Sequence, residues 1–279
     1  MGRYKLNNYI LKLLATLFLC VSVAQADEVT AKSTVTCAPT ITKKSDTQSI
    51  KWYRDSAEKK ALYNQAYSMG SQYVRFWVKS NHPKPNTWGV ILDIDETVLD
   101  NSWYMYACNG HDITNEEEFS HYIANAKRSV ALPEVVGFTS LVHELGGYVS
   151  MVTNRDGTFK DSSGSIMEAT AVNLRDQSIY FDQVVFSNNR DSKNPRDKNP
   201  RFEAIKSGKY DDKQMVWSKQ LPAHKVIAYF GDNIQDFPNL KQETVSSLDG
   251  NDEVFKKFGN GYFILPNPIY GSWTKNPYK

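Results

Sequence analysis

Residues 88–95 read WGVILDID, an apolar run that stops on two aspartates. A strand open to water on one face would alternate apolar and polar residues; a continuous run requires burial on both faces, as in a parallel sheet. Three further short runs of this kind follow, at residues 148–153, 183–187 and 225–231, and a fifth, briefer one at 262–265. Between them lie stretches with helical spacing: 134–145, closed by Gly146-Gly147, then 164–175, then a helix opening at Pro200 and running to 207. Strands separated by helices predict βαβ units, and so an α/β fold with a parallel sheet covered on both faces. Ahead of the first strand, apolar residues recur at helical spacing from 47 to 80, as one long amphipathic helix or two shorter ones. Residues 81–86, NHPKPN, stop it.

The ends of the chain read differently. Residues 1–26 carry Arg3, Lys5 and Lys12, then an apolar stretch from Leu13 to Val23, then Ala24-Gln25-Ala26. This is the pattern of a secretory leader, and its apolar run falls short of the roughly 20 residues a spanning helix needs. Export is therefore expected, to the periplasm or the medium. Leu19 before Cys20 is bulky where lipid attachment favours a small residue, so outer-membrane anchoring is the lesser expectation. Residues 27–46 are polar and read as an arm, and the domain proper is expected over 47–279. Loss of the leader removes three basic residues and no acid, taking the formal charge from +2 to −1. A basic face for nucleic-acid polymers loses its support. Cys37 and Cys108 remain in an exported chain; they allow a disulfide, with two free thiols as the alternative.

The sequence is 279 residues long with 41% hydrophobic residues, enough for a real core. Residues 102–132 are too long for a plain connection, and are expected to form a small, mostly helical cap between the first strand and its helix.

Open α/β sheets bind ligands at the carboxyl ends of their strands. Here those ends carry Asp93-Ile94-Asp95-Glu96-Thr97, Thr153-Asn154-Arg155, and Gly231-Asp232-Asn233 followed by Asp236. Residues i and i+2 of a strand share a face, so Asp93 and Asp95 can address one space. Four converging carboxylates repel unless a cation lies among them. With no histidine or cysteine at these rims, zinc and copper fit poorly and a hard, oxygen-preferring ion such as magnesium fits well. An EF-hand fits poorly, because the loop lacks glycine at its sixth position and glutamate at its twelfth. A carboxylate beside such an ion can attack phosphorus, and a second can pass a proton to the leaving oxygen. Thr153, Asn154 and one of the lysines after Asn188 could hold the phosphoryl oxygens.

The segments ILDIDETVLDNSWY (91–104) and VIAYFGDNIQDF (226–237) resemble the paired motifs of the class C non-specific acid phosphatases. These are exported bacterial enzymes of the haloacid dehalogenase (HAD) superfamily, also called DDDD phosphohydrolases. The second motif departs at Ala228 and Ile234, neither a carboxylate. WYRDSAEKKALYNQAY (52–67), VTNR (152–155) and LPNPIYGSW (265–273) are similar to further family segments, so the resemblance spans about residues 50–275. It implies a Rossmann-like HAD fold with a cap, and magnesium-dependent hydrolysis of phosphomonoesters through a phospho-aspartate. It implies Asp93 as nucleophile and Asp95 as general acid/base. Asp93, Asp95 (through its carbonyl) and Asp232 would be the metal ligands, supported by Asp236. Thr153 and Asn154 would bind phosphate with Lys198, which precedes an Arg-Phe pair at the family's spacing. Substrates implied are nucleoside monophosphates and aryl phosphates, stacked on aromatic residues drawn from Trp103, Tyr104, Phe119, Tyr122 and Tyr270. A homodimer is allowed; a nucleic-acid polymer is not an expected partner. The competing reading is a catalytically silent surface or ligand-binding protein on the same fold, disfavoured because every expected position is filled.

Overall fold

The computed structural model describes residues 47–107, 116–126, 129–162 and 164–277. The leader, the arm and both Cys37 and Cys108 lie outside them. The helical stretch ahead of the sheet is two helices, α1 (Gln48–Asp55) and α2 (Ala57–Asn81). Ser56 divides them by serving both. Its N–H caps α1 by donating to the Trp52 carbonyl, and its hydroxyl accepts the Lys59 N–H at the start of α2.

Six strands form the main sheet: β1 (Trp88–Leu92), β2 (Tyr148–Asp156), β3 (Gln183–Ser187), β4 (Met215–Trp217), β5 (Lys225–Gly231) and β6 (Tyr262–Ile264). Their order is β6-β5-β1-β2-β3-β4. The five strands expected from the sequence are all present and mutually parallel. The sixth, β4, is an antiparallel edge strand that pairs Val185 with Trp217, and the sequence reading missed it. Three residues are too few to show a period, and an edge strand is buried on fewer sides.

Burial alternates along the strands and defines two cores. Val90, Leu92, Met151, Val184, Phe186, Ala228 and Phe230 face one core, whereas Ile91, Val152, Val185 and Tyr229 face the other. The first core is closed by α2, by α5 (Val135–Glu144) and by α6 (Ile166–Asp176), through residues such as Tyr67, Phe138 and Leu174. The second is closed by α7 (Asn199–Ser207), through Phe202 and Ile205. Each fully buried side chain of this size contributes on the order of 1.5–3 kcal/mol. The rings of Tyr67, Phe138 and Phe230 meet at centroid distances of 4.5–5.4 Å. Gly70 permits this contact: a Cβ there would lie 2.4 Å from the Phe230 ring.

The insertion after β1 contains α3 (Ser102–Ala107) and α4 (Glu116–Ala126). It is pinned at its base by a short antiparallel ladder, Leu99–Asp100 on Val130–Ala131. Helix α4 packs on α6, so the cap rests on the first core's side of the sheet.

Candidate active site

The carboxyl ends of β1, β2 and β5 share one rim. The Asp93 N–H donates to the Phe230 carbonyl at 2.9 Å, which carries the β1–β5 ladder one residue past β1. Asp93 is thereby set against the end of β5. The next residues turn sharply: Glu96 adopts φ 55, and the Ile94 carbonyl accepts the N–H groups of Val98 and Leu99. At the end of β5, Asn233 and Asp236 cap the 3-10 turn Ile234–Asp236 reciprocally. This cap swings Asp236 back over Gly231, where a Cβ would lie 2.2 Å from that of Asp236. Only glycine leaves room there.

These turns gather acids. Carboxylate oxygens of Asp93, Asp232 and Asp236 lie within 4.8 Å of one another. Lys198, at the mouth of α7, donates to Asp93 and, at 2.6 Å, to Asp236. The ammonium is 4% exposed and the two carboxylates hardly more. Burial pushes the Asp93 carboxyl up to about 7; Lys198 opposes the rise, and Asp236 and Asp95 add to it. Burial, then the nearby Asp236 and Asp93, drive the Asp232 carboxyl well above its ordinary range. Burial alone would lower the Lys198 ammonium, but the two carboxylates it touches outweigh that and raise it.

Asp95 is treated differently. Arg155 grips both its oxygens, with Nε at 3.1 Å from each and Nη2 at 2.6 Å from one, and Asn101 donates to it at 2.8 Å. Arg155 is itself tied to Thr170 on α6 at 2.9 Å. Asp93 and Asp95, two positions apart, therefore meet different cations. Arg201 braces the end of β2 by donating to the Thr153 carbonyl and, at 2.6 Å, to Asn154 Oδ1. Burial brings its guanidinium down to about 10. Thr153 is buried and Asn154 exposed on the same rim.

The structure thus brings together Asp93, Asp232, Asp236 and Lys198, with Thr153 on the same rim at the end of β2, and it is Lys198 of the basic loop that reaches the acids. Sequence reasoning assigned no role to Arg155, Asn101 or Arg201. Arg155 stands inside the VTNR segment and Asn101 six residues after Asp95, but neither position says which acid it meets. Glu96 was also unassigned. It is fully buried, accepts the Asn101 N–H at 2.8 Å and the Tyr270 hydroxyl, and burial pushes its carboxyl well up.

Four of the five aromatic candidates, Trp103, Tyr104, Phe119 and Tyr122, pack ring on ring in the cap, and they differ in how much they expose. Trp103 is 39% exposed and lines a cavity of about 300 Å3 with Arg54, Asp100, Ser102, Tyr122 and Val130. Two of its lining residues, Asp100 and Ser102, are the sequence neighbours of Asn101. Tyr104 is corrected: at 2% exposure its ring packs against Phe119 and Tyr122, at 5.4 and 4.6 Å, and offers no face to a leaving group. Phe119 is half-buried in the same cluster. Tyr270 is half-buried on the rim through its bond to Glu96.

A parallel sheet with an acidic rim after its first and fifth strands, and a cap inserted after the first, is the architecture of the HAD phosphohydrolases. The model of the HAD superfamily, subfamily IIIB (acid phosphatase), matches residues 7–273, and the chain belongs to that family. It is a phosphoric monoester hydrolase. Among solved structures, the class C acid phosphatase from Bacillus anthracis is similar over 81% of this chain and 84% of that one. The TM-score is 0.62 and the identity 24%. The same enzyme with tungstate bound matches with TM-score 0.61, again at 24% identity and the same coverage. HAD phosphatases depend on a metal, and the donor set here fits one. Three carboxylates converge, those of Asp93 and Asp236 buried and that of Asp232 half-buried, all hard oxygen donors, and burial followed by mutual repulsion pushes two of them upward.

Proposed function

We propose that this acid phosphatase is a magnesium-dependent enzyme that hydrolyses nucleoside monophosphates and aryl phosphates through a phospho-aspartate, after export from the cytoplasm. The observation that carries the reading is the convergence of Asp93, Asp232 and Asp236 within 4.8 Å, with Lys198 bridging Asp93 and Asp236 and Asp95 two positions further along the same loop. Asp93 is at the bottom of the rim beside Lys198; Asp95 is oriented by Arg155 and Asn101.

The residues then share the work as follows. A phosphomonoester enters with its phosphoryl oxygens against Lys198 and Thr153. An oxygen of Asp93 attacks phosphorus, the bond to the leaving oxygen breaks, and Asp95 supplies that oxygen with its proton. Water next attacks the phosphoryl group, giving a proton back to Asp95. Phosphate departs and Asp93 is restored. Lys198 and Arg201 supply fixed positive charge near the oxygens that gain negative charge. Asp93, Asp232 and Asp236, with the Asp95 carbonyl, would hold the magnesium, whose chemistry when bound is to neutralise charge on the acids and the phosphoryl group. Trp103 and the neighbouring cavity are suited to an aromatic leaving group, since stacking is worth about 1–3 kcal/mol per base and tolerates different rings. Export rests on the leader pattern of residues 1–26. Among the described residues no helix is long and apolar enough to cross a membrane.

The test is phosphate release from a panel of nucleoside and aryl phosphates at pH 5 to 7, with magnesium and with EDTA. Acid quenching during turnover is added to trap the phosphoenzyme. The reading expects loss in EDTA, recovery with magnesium, and a trapped phosphoryl group that is missing in Asp93→Asn. Undiminished turnover by Asp93→Asn would remove the nucleophile assignment. Mass measurement of the exported protein checks the leader, with an N-terminus at Asp27 expected.

A further inference from the structure

The charge on the four motif aspartates is shared unevenly. Lys198 serves Asp93 and Asp236, and Arg155 serves Asp95. Among the described residues no cationic group lies within ion-pair distance of Asp232. Its two oxygens are held instead by neutral donors: the Thr97 hydroxyl at 3.3 Å on Oδ1 and the Asn267 amide at 2.8 Å on Oδ2. A neutral donor orients a carboxylate without bringing a cation of its own, so a metal ion in the cluster meets no competing ammonium or guanidinium at Asp232.

Asn267 is built for that task. It lies just beyond β6, where the Leu265 N–H donates to the Gly231 carbonyl and extends the ladder toward the rim. Its own Oδ1 accepts the N–H groups of Ile269, at 2.9 Å, and Tyr270, at 3.3 Å. Both acceptor lone pairs are thus committed to the local turn, and the amide nitrogen can only face Asp232. The turn then carries Tyr270 onto Glu96 and Ser272 onto Asn233, at 2.7 Å for the latter. One segment therefore touches both acid-bearing loops, the one after β1 and the one after β5. The peptide that orients the metal-side carboxylate comes from a third place in the chain, 35 positions after Asp232.

We propose that Asn267 is the positioning residue for Asp232, and sets the affinity of the acidic cluster for its divalent cation. This inference rests on the reading of that cluster as a magnesium site. Outer partners of metal ligands typically account for about 10–100-fold in metal affinity, because they fix the orientation that the free side chain would otherwise have to surrender on binding.

The experiment is calorimetric titration of the purified metal-free enzyme with magnesium chloride, with no substrate present. It compares wild type, Asn267→Ala, Asn267→Ser and Thr274→Ala. Serine retains a hydroxyl that can accept a turn N–H but is too short to reach Asp232, so it guards against collapse of the segment in the alanine variant. Thr274 lies in the same segment, and among the described residues its hydroxyl bonds the Gly271 carbonyl alone, at 2.9 Å. Both Asn267 variants are expected to bind magnesium about 10–100-fold more weakly, and Thr274→Ala like wild type. Turnover of the Asn267 variants, followed alongside, should recover most of its wild-type value once magnesium is raised to saturation, a response that general loss of structure would not give. Wild-type affinity in a folded Asn267→Ser would overturn the positioning role while leaving the metal site standing. Failure of the wild-type enzyme itself to bind magnesium would overturn the metal reading and this inference with it.

Discussion

Lys198 makes the plainest case at the scale of the residue. It is 4% exposed between two carboxylates, so its ammonium is the compensation that lets Asp93 and Asp236 stay buried together. Lys198→Met keeps much of the volume and removes the charge. The expected outcome is a loss of about 3–5 kcal/mol in folding stability, the usual result of stranding one side of a buried pair. A drop in kcat of about 100–1000-fold should accompany it, since a donor to developing charge is lost. Urea unfolding and steady-state kinetics check the two halves separately. The choice of Lys198 over Lys193, Arg196 or Arg201 was not dictated by composition, since all four lie within nine residues. It followed from the resemblance and is met in space by the approach of α7 to the ends of β1 and β5.

The element scale governs two further expectations. The end of β5 works because Gly231 lets Asp236 fold back over it. Gly231→Ala forces a Cβ to within 2.2 Å of Asp236 Cβ, so the capped turn must shift. The expected cost is about 1–3 kcal/mol in stability. Turnover should fall further than stability does, because the displaced atoms carry a metal-side carboxylate; thermal melting and kinetics on the same sample decide this. At the other end of β5, His224 precedes the strand, 6% exposed. Its Nδ1–H donates to the Pro222 carbonyl at 2.8 Å, and its buried Nε2 meets no partner among the described residues. Burial lowers its imidazole below the ordinary value. The folded protein thus binds this proton more weakly than the unfolded chain does. The stability it contributes is complete above about pH 6.5 and declines as the pH falls through that value toward the lowered folded one. His224→Asn, which can retain the bond to Pro222, should flatten the fall in urea midpoint between pH 7 and 5. An unchanged slope would show that the histidine is not responsible.

Across the whole molecule, the acidic cluster links folding to cation. Three converging carboxylates, two of them pushed upward by burial, oppose the folded state until a divalent ion joins them. Magnesium at about 100 times its dissociation constant should raise stability by about 2.7 kcal/mol, and EDTA should reverse it. A melting temperature that ignores both would contradict a cation at this site.

The order of strands and helices was legible because each strand of this sheet is buried on both faces, and burial writes a continuous apolar run into the sequence. The acids could be located because they sit at strand ends, where the fold class places ligands. Other features could not be read. The break between α1 and α2 depends on Ser56 serving two helices at once, which looks like any serine within a helical period. Strand β4 is too short to carry a period. Tyr104 and Trp103 are neighbours in sequence, yet one is buried and the other lines a cavity. Local patterns of burial and turning were enough for the fold class, the five parallel strands and the acids at their ends. Which cation meets which acid, which aromatics stay accessible and the grip of Asn267 on Asp232 depend on folding in three dimensions. Those contacts join positions such as Asp93 and Lys198, 105 residues apart, and no local period records a meeting at that distance.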